Sequence, residues 1–122
     1  MYALTGIDWS ELQDLLKHRI KTFDLASADH IEIAQQLKQK EYVFITNVSK
    51  QDVRRGIEGL LGRVESVKTD YWKVMRKEFD EKEMPIARVQ VTFVDRRRVT
   101  SVKNLGLGKG LKVEAETHVL VG

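Results

Sequence analysis

No cysteine occurs among the 122 residues of this chain. That excludes disulfides and thiolate metal sites, and it is compatible with a reducing compartment. Proline occurs once, at Pro85, where Met84-Pro85 reads as a break ahead of a strand. No apolar run reaches the roughly 18 residues that a membrane-spanning helix needs. The opening MYALTGIDWSEL has no basic stretch ahead of an apolar one, which argues against a secretory signal. Tandem repeats and low-complexity linkers are also missing. A large excess of one charge sign is absent too: 21 Lys and Arg face 18 Asp and Glu, for a formal +3. That sum is a weak pointer by itself, and the placement of the charges matters more.

What is present is a folded, soluble composition, 42% hydrophobic and 32% charged. The length fits one domain with one modest core. Asp8 followed by Glu11 starts a first helix, with Leu12, Leu15, Leu16 and Ile20 as its apolar face and Trp9 and Phe23 at its ends. Ser27 or Asp29 caps a second helix reaching about Lys38, on a thinner face of Ile31, Ala34 and Leu37. Residues 42–69 then read as strand, capped helix and strand. Tyr42-Val43-Phe44-Ile45 suits a buried strand. Ser49 and Asp52 resemble a capping box. Val53, Ile57, Leu60 and Leu61 form a helical stripe, and Gly62 stops it.

Residues 71–75 either prolong the following strand or leave the sheet as a loop. Residues 86–95 alternate apolar Ala87, Val89, Val91 and Phe93 with Arg88, Gln90 and Thr92, as a strand wet on one face does. Arg96–Arg98 reads as a turn or strand tip, 99–102 as a short continuation, and 104–110 as a flexible loop or hairpin. Residues 111–121 alternate again. The expected fold is a small α+β domain, with helices on one face of a three- or four-stranded, mostly antiparallel sheet. Residues 1–40 form its helical segment and 41–122 its α+β core, as one folded unit.

Convergent catalytic groups are hard to find. His18, His30 and His118 show no His-x-x-x-His pair and read as solvated or hydrogen-bonded structural histidines. A site assembled from all three in space stays open. Asp70, Asp80 and Asp95 are the carboxylates available to a divalent ion. The stretch GLGKG at 106–110 lacks the order of a phosphate-binding P-loop and reads as a hairpin. The cations are better organised. Lys50, Arg54, Arg55, Lys68, Lys73, Arg96, Arg97 and Arg98 form basic clusters, with Tyr71 and Trp72 interleaved. Aromatics among cations suit an unpaired or looped RNA.

The motif order resembles large-subunit ribosomal protein family twenty-three, which lies on ribosomal RNA beside the tunnel exit. The family opens with Ser/Thr-Glu-Lys-Ala, where this chain has Ile31-Glu32-Ile33-Ala34, and continues to Tyr-Val-Phe, here Tyr42-Val43-Phe44. Ser49-Lys50 stands for its Thr-Lys, and Val53-Arg54 for its Ile-Lys. Gly56-Ile57-Glu58 stands for Ala-Val-Glu, and Leu60-Leu61 for Leu-Phe. Residues 64–69 and 89–93 follow two further strands of the family, with Pro85 in its turn. The resemblance implies a non-catalytic RNA-binding component of a large ribonucleoprotein, in the cytoplasm or an organelle interior, without cofactor or metal. It also implies a chaperone-docking role for Glu32.

Two other readings stand beside it. One is a homo-oligomeric structural or assembly protein pairing through the alternating strand at 111–121. The other is a metal-assisted nucleic-acid enzyme using Asp70, Asp80 and Asp95.

Overall fold

The computed structural model describes residues 1–75 and 81–117, with the backbone alone at 71–75 and 81–83. In chain order the elements are β1 (Tyr2–Leu4), α1 (Trp9–His18), β2 (Ile20–Leu25), α2 (Ala28–Gln36), β3 (Tyr42–Ile45), β4 (Glu58–Met75), β5 (Glu81–Asn104) and β6 (Leu111–Thr117). A short 3-10 turn lies at Lys50–Asp52. Among the described residues no helix is long and apolar enough to cross a membrane.

The six strands form one mixed sheet in the order β2-β5-β4-β3-β1-β6, and β6 also pairs with β5. This last pairing closes β1, β3, β4, β5 and β6 into a ring. β1 and β3 are its one parallel pair. β5 is long enough to serve two neighbours on one edge: Ala87–Thr92 pair with β2, and Arg97–Asn104 with β6. Closure removes most free sheet edges at this end of the molecule.

Two apolar clusters follow from the ring. Helices cannot enter so small a ring, so the cluster containing Leu12 and Leu15 of α1 and Ile33 and Ala34 of α2 lies on its outer face. Phe23, Val43, Ile45, Val64, Val89 and Val91 join them there, all essentially buried. The inner cluster is smaller: Ala3, Phe44, Val99, Leu111 and Val113, with Val53 added from the loop after β3.

The expected sheet of three or four strands is therefore corrected to six in one mixed sheet, five of them closed into a ring. One reason lies in residues 49–62, where a helix was expected. The Ser49 hydroxyl does bond the Asp52 carboxylate, at 2.8 Å, but only the 3-10 turn follows. Gly56 and Gly59 lie inside the expected helix and weigh against it by about 1 kcal/mol each relative to alanine. Gly56 takes φ +94, outside helical space. Gly59 lies directly over the Phe44 ring and Gly62 over Val91. The stripe of Val53, Ile57, Leu60 and Leu61 is split between the two clusters and the strand faces that border them.

The second reason lies in residues 19–25. Arg19 takes φ +66 and ends α1, its N–H bonding the Leu15 carbonyl at 2.8 Å. Ile20 and Phe23 then belong to β2, where buried Phe23 and Leu25 alternate with exposed Thr22 and Asp24. With β1 and β2, the segment 1–40 gives the sheet two strands besides its two helices. Arg96–Arg98 lies within β5 rather than at a turn, and β5 runs unbroken through Met84-Pro85. Residues 71–75 prolong the strand. The 104–110 hairpin is present, with positive φ at Gly106, Gly108 and Gly110.

Candidate functional site

A cleft of about 560 Å³ opens between the start of α1 and the first residues of β4, with Arg96 and Arg97 of β5 beside them. Local sequence fixes its walls. Ile7, just ahead of the capping position Asp8, is buried in the same cluster as Leu12. This pairing has the pattern of a hydrophobic staple, which sets the angle at which the chain enters the helix. Trp9, the first helical residue, is thereby left at the cleft wall and is 56% exposed. Leu12 and Leu16 continue the wall one and two turns further on, facing Ile57 and Leu60.

The opposite wall is held by Thr46, the one buried polar residue among those described. Its hydroxyl donates to the Glu58 carbonyl at 3.2 Å and accepts from the Val48 N–H at 3.2 Å. The backbone of Thr46 also bonds both sides of the loop before α1: its N–H goes to the Leu4 carbonyl, and its carbonyl accepts from Ile7 N–H. Thr46 thus ties the α1 entry, the loop after β3 and the start of β4 into one frame. A lone threonine after an apolar strand gives no sign of this in sequence. Val53–Ile57 form a turn on the same wall. The Gly56 N–H bonds the Val99 carbonyl and the Val99 N–H bonds the Ile57 carbonyl, each at 2.8 Å. Arg54 and Arg55 are exposed on that turn.

The eight expected RNA-binding cations separate into groups. Arg96 lines the cleft, is exposed, and makes no ion pair among the described residues. Arg97 also lines it, but its guanidinium is committed. Nε donates to Asp95 at 2.6 Å, a second nitrogen to the same carboxylate at 3.2 Å, and a third to the Ala115 carbonyl at 3.4 Å. Arg97 is therefore a tie between β5 and β6. Arg98 stands opposite Glu58 in the register. Arg54 and Arg55 join this end of the molecule through Gly56 and Ile57.

Lys50 is drawn elsewhere: it pairs with Asp29 at 3.0 Å and donates to the Gly106 carbonyl at 3.1 Å, fastening the 104–110 hairpin to α2. Lys68 stands opposite Arg88, roughly 27 Å along β5 from Arg96 at about 3.4 Å per residue. Lys73 continues in that direction, and its side chain is outside the described residues. Glu32 is half-buried on α2.

The carboxylates imagined for a metal do not converge. Asp95 is held by Arg97, Asp70 pairs with Ile86 in the far part of the hairpin, and Asp80 lies outside the described residues. No cluster of metal-ligating side chains occurs among the described residues. His18 is exposed at the end of α1, and His118 lies outside the described residues.

The sequence model of the family described as "Protein of unknown function (DUF473)" matches residues 1–113. The chain belongs to this family. It is also 37% identical over 94 residues to the uncharacterized protein MJ0105 of Methanocaldococcus jannaschii, an overlap covering 77% of this chain and 60% of that protein. The chain thus spans about three-fifths of the curated relative it matches. No solved structure matches it. The family match covers both walls of the cleft.

His30 braces the frame from the other side. Its Nε2 lies 2.7 Å from the Thr5 carbonyl, in the segment that leads into α1. Burial pushes its pKa below the ordinary 6.5, outweighing the Thr5 bond and the nearby Asp29 and Glu11 charges. A histidine held low in the folded state binds fewer protons than in the unfolded chain at mildly acid pH. Stability then rises with pH from the folded value to 6.5, is complete above it, and is lost as pH falls below it. Chemical denaturation at pH 7 and pH 5 is expected to show lower stability at pH 5. His30→Gln is expected to shrink that difference. Glu65, whose carboxyl is held low by the Thr92 hydroxyl and then by Arg63, titrates in a more acid range.

Proposed function

We propose that this chain is a non-catalytic RNA-binding component of a ribonucleoprotein, holding an unpaired base in the cleft beside Trp9. The observation that carries this reading is an exposed tryptophan sharing one cleft with Arg96, which makes no ion pair among the described residues. A flat indole offers a stacking surface to any base, worth about 1–3 kcal/mol per base. Leu12, Leu16, Ile57 and Leu60 give the base an apolar floor. Arg96 is placed to meet a phosphate, with Arg54 and Arg55 on the adjoining turn to follow the backbone. The resemblance to the ribosomal family contributes the RNA partner to this reading but not its geometry, because the helix it requires at 49–62 is replaced by a turn and a strand.

Titration with a short single-stranded RNA at about 50 mM salt tests the proposal, since phosphate contacts are strongest at low salt. Saturable binding is expected, with single-stranded DNA and duplex RNA as comparisons. Trp9→Ala is expected to weaken it by about 1–3 kcal/mol. Arg96→Ala is expected to weaken it with little base preference and to reduce the slope of log K against log salt by about 0.7. No saturable binding, or equal affinity for Trp9→Ala and wild type, would overturn the reading.

A further inference from the structure

Among the described residues two strand edges have no partner: the outer edge of β2 and the outer edge of β4 beyond Val64. Past Arg63, where β3 ends its pairing, and past Val64, whose N–H and carbonyl bond Glu41 and Lys40, no described residue pairs with the outer edge of β4. On the other side β2 stops at Leu25, opposite Ala87. Residues 70–75 and 81–86 therefore continue as a two-stranded ribbon. Such a ribbon is marginally stable in water without a third strand or a covering element.

Charge says what the missing strand carries. On the sheet face turned from the helices, Asp24 of β2 pairs with Arg88 of β5 at 3.3 Å, and Arg88 stands opposite Lys68 of β4. Two cations side by side repel each other, and Lys68 makes no ion pair among the described residues. The row reads minus, plus, plus, and a carboxylate on the outer side of Lys68 would complete it. The same edge supplies one. Lys68 and Asp70 flank Thr69, both exposed and both on that face. An antiparallel copy of this edge, with its two-fold axis at Thr69, sets each Lys68 opposite an Asp70.

We propose that the open edge of β4 pairs antiparallel with the same edge of a second copy of this chain, with Lys68 opposite the partner's Asp70. The pairing joins β2-β5-β4 of both copies into one six-stranded sheet and gives each ribbon further strands. It is independent of the RNA reading, and it assigns Lys68 to self-association rather than to phosphate. The edge proposed for pairing is that of β4, whereas β6 is paired with β1 and β5.

Sedimentation velocity on the full chain at micromolar concentrations tests it through charge exchange. Wild type is expected to be a dimer. Lys68→Asp and Asp70→Lys are each expected to give monomer, because each sets two like-charged pairs across the axis. The double variant is expected to regain the dimer. Lys68→Asp faces Arg88 within its own chain, so its thermal midpoint distinguishes a folded monomer from an unfolded one. A monomeric wild type, single variants that stay dimeric, or a double variant that stays monomeric would overturn the proposal.

Discussion

Replacing Phe44 by alanine is expected to destabilise the protein by about 4 kcal/mol, within the range for removing a fully buried aromatic ring. Phe44 is fully buried, and the other strand residues inside the ring are smaller: Ala3, Val99, Leu111 and Val113. These are short side chains on strands whose positions closure has fixed. They have little freedom to collapse into the space a phenyl ring leaves, so the cavity cost stays high. Urea denaturation measures it as a lower midpoint at unchanged slope. A loss below about 1 kcal/mol would mean that the ring interior is not close-packed around Phe44.

Gly59→Ala is the second large effect, and its sign separates two folds. In a helix over 49–62 this exchange would stabilise by about 1 kcal/mol. In the strand, the new methyl would lie 2.5 Å from the Phe44 ring and 2.7 Å from the Ile45 carbonyl oxygen. The carbonyl is backbone bonded within the β3–β4 pair and cannot rotate away. The expected result is destabilisation by about 3 kcal/mol, the upper part of the range for overpacking. Thermal or urea denaturation reads the sign directly.

The elements legible in the sequence are those whose pattern is local. Asp8 and the spacing of Leu12 and Leu15 give α1, and the alternation of Ala87, Val89 and Val91 gives the centre of β5. Ser27 caps α2, its hydroxyl accepting from the His30 N–H. Residues 49–62 were misleading because Val53, Ile57, Leu60 and Leu61 satisfy helical spacing by coincidence, while Gly59, inside the expected helix, acts through Phe44, distant in sequence. β1 and β2 are short and take their identity from partners, Val43–Ile45 and Ala87–Thr92, that no local window contains. Ring closure through β5 and β6 is likewise a property of pairing alone.

The site was half legible. Arg54, Arg55 and Arg96 stood out by charge and reach one end of the molecule. Arg97 and Lys50 stood out equally, yet Asp95 and Asp29 occupy them, which charge counting does not reveal. Trp9 read as the end of an apolar helix face. Its exposure follows from the Ile7–Leu12 staple, which buries its neighbours and leaves the indole at the cleft wall.

The most direct measurement of the central claim is a nuclear magnetic resonance titration of the isotope-labelled chain with a short single-stranded RNA. The two tryptophans, Trp9 and Trp72, give separate indole N–H signals. The account predicts that the Trp9 indole and the amides of Asn47, Ile57 and Arg96 shift together and saturate at one concentration, while the amides around Lys68 on the far edge of β4 stay in place. Shifts gathered on Lys68 and Trp72 with the Trp9 signal unmoved, or no saturable shift anywhere, would contradict it.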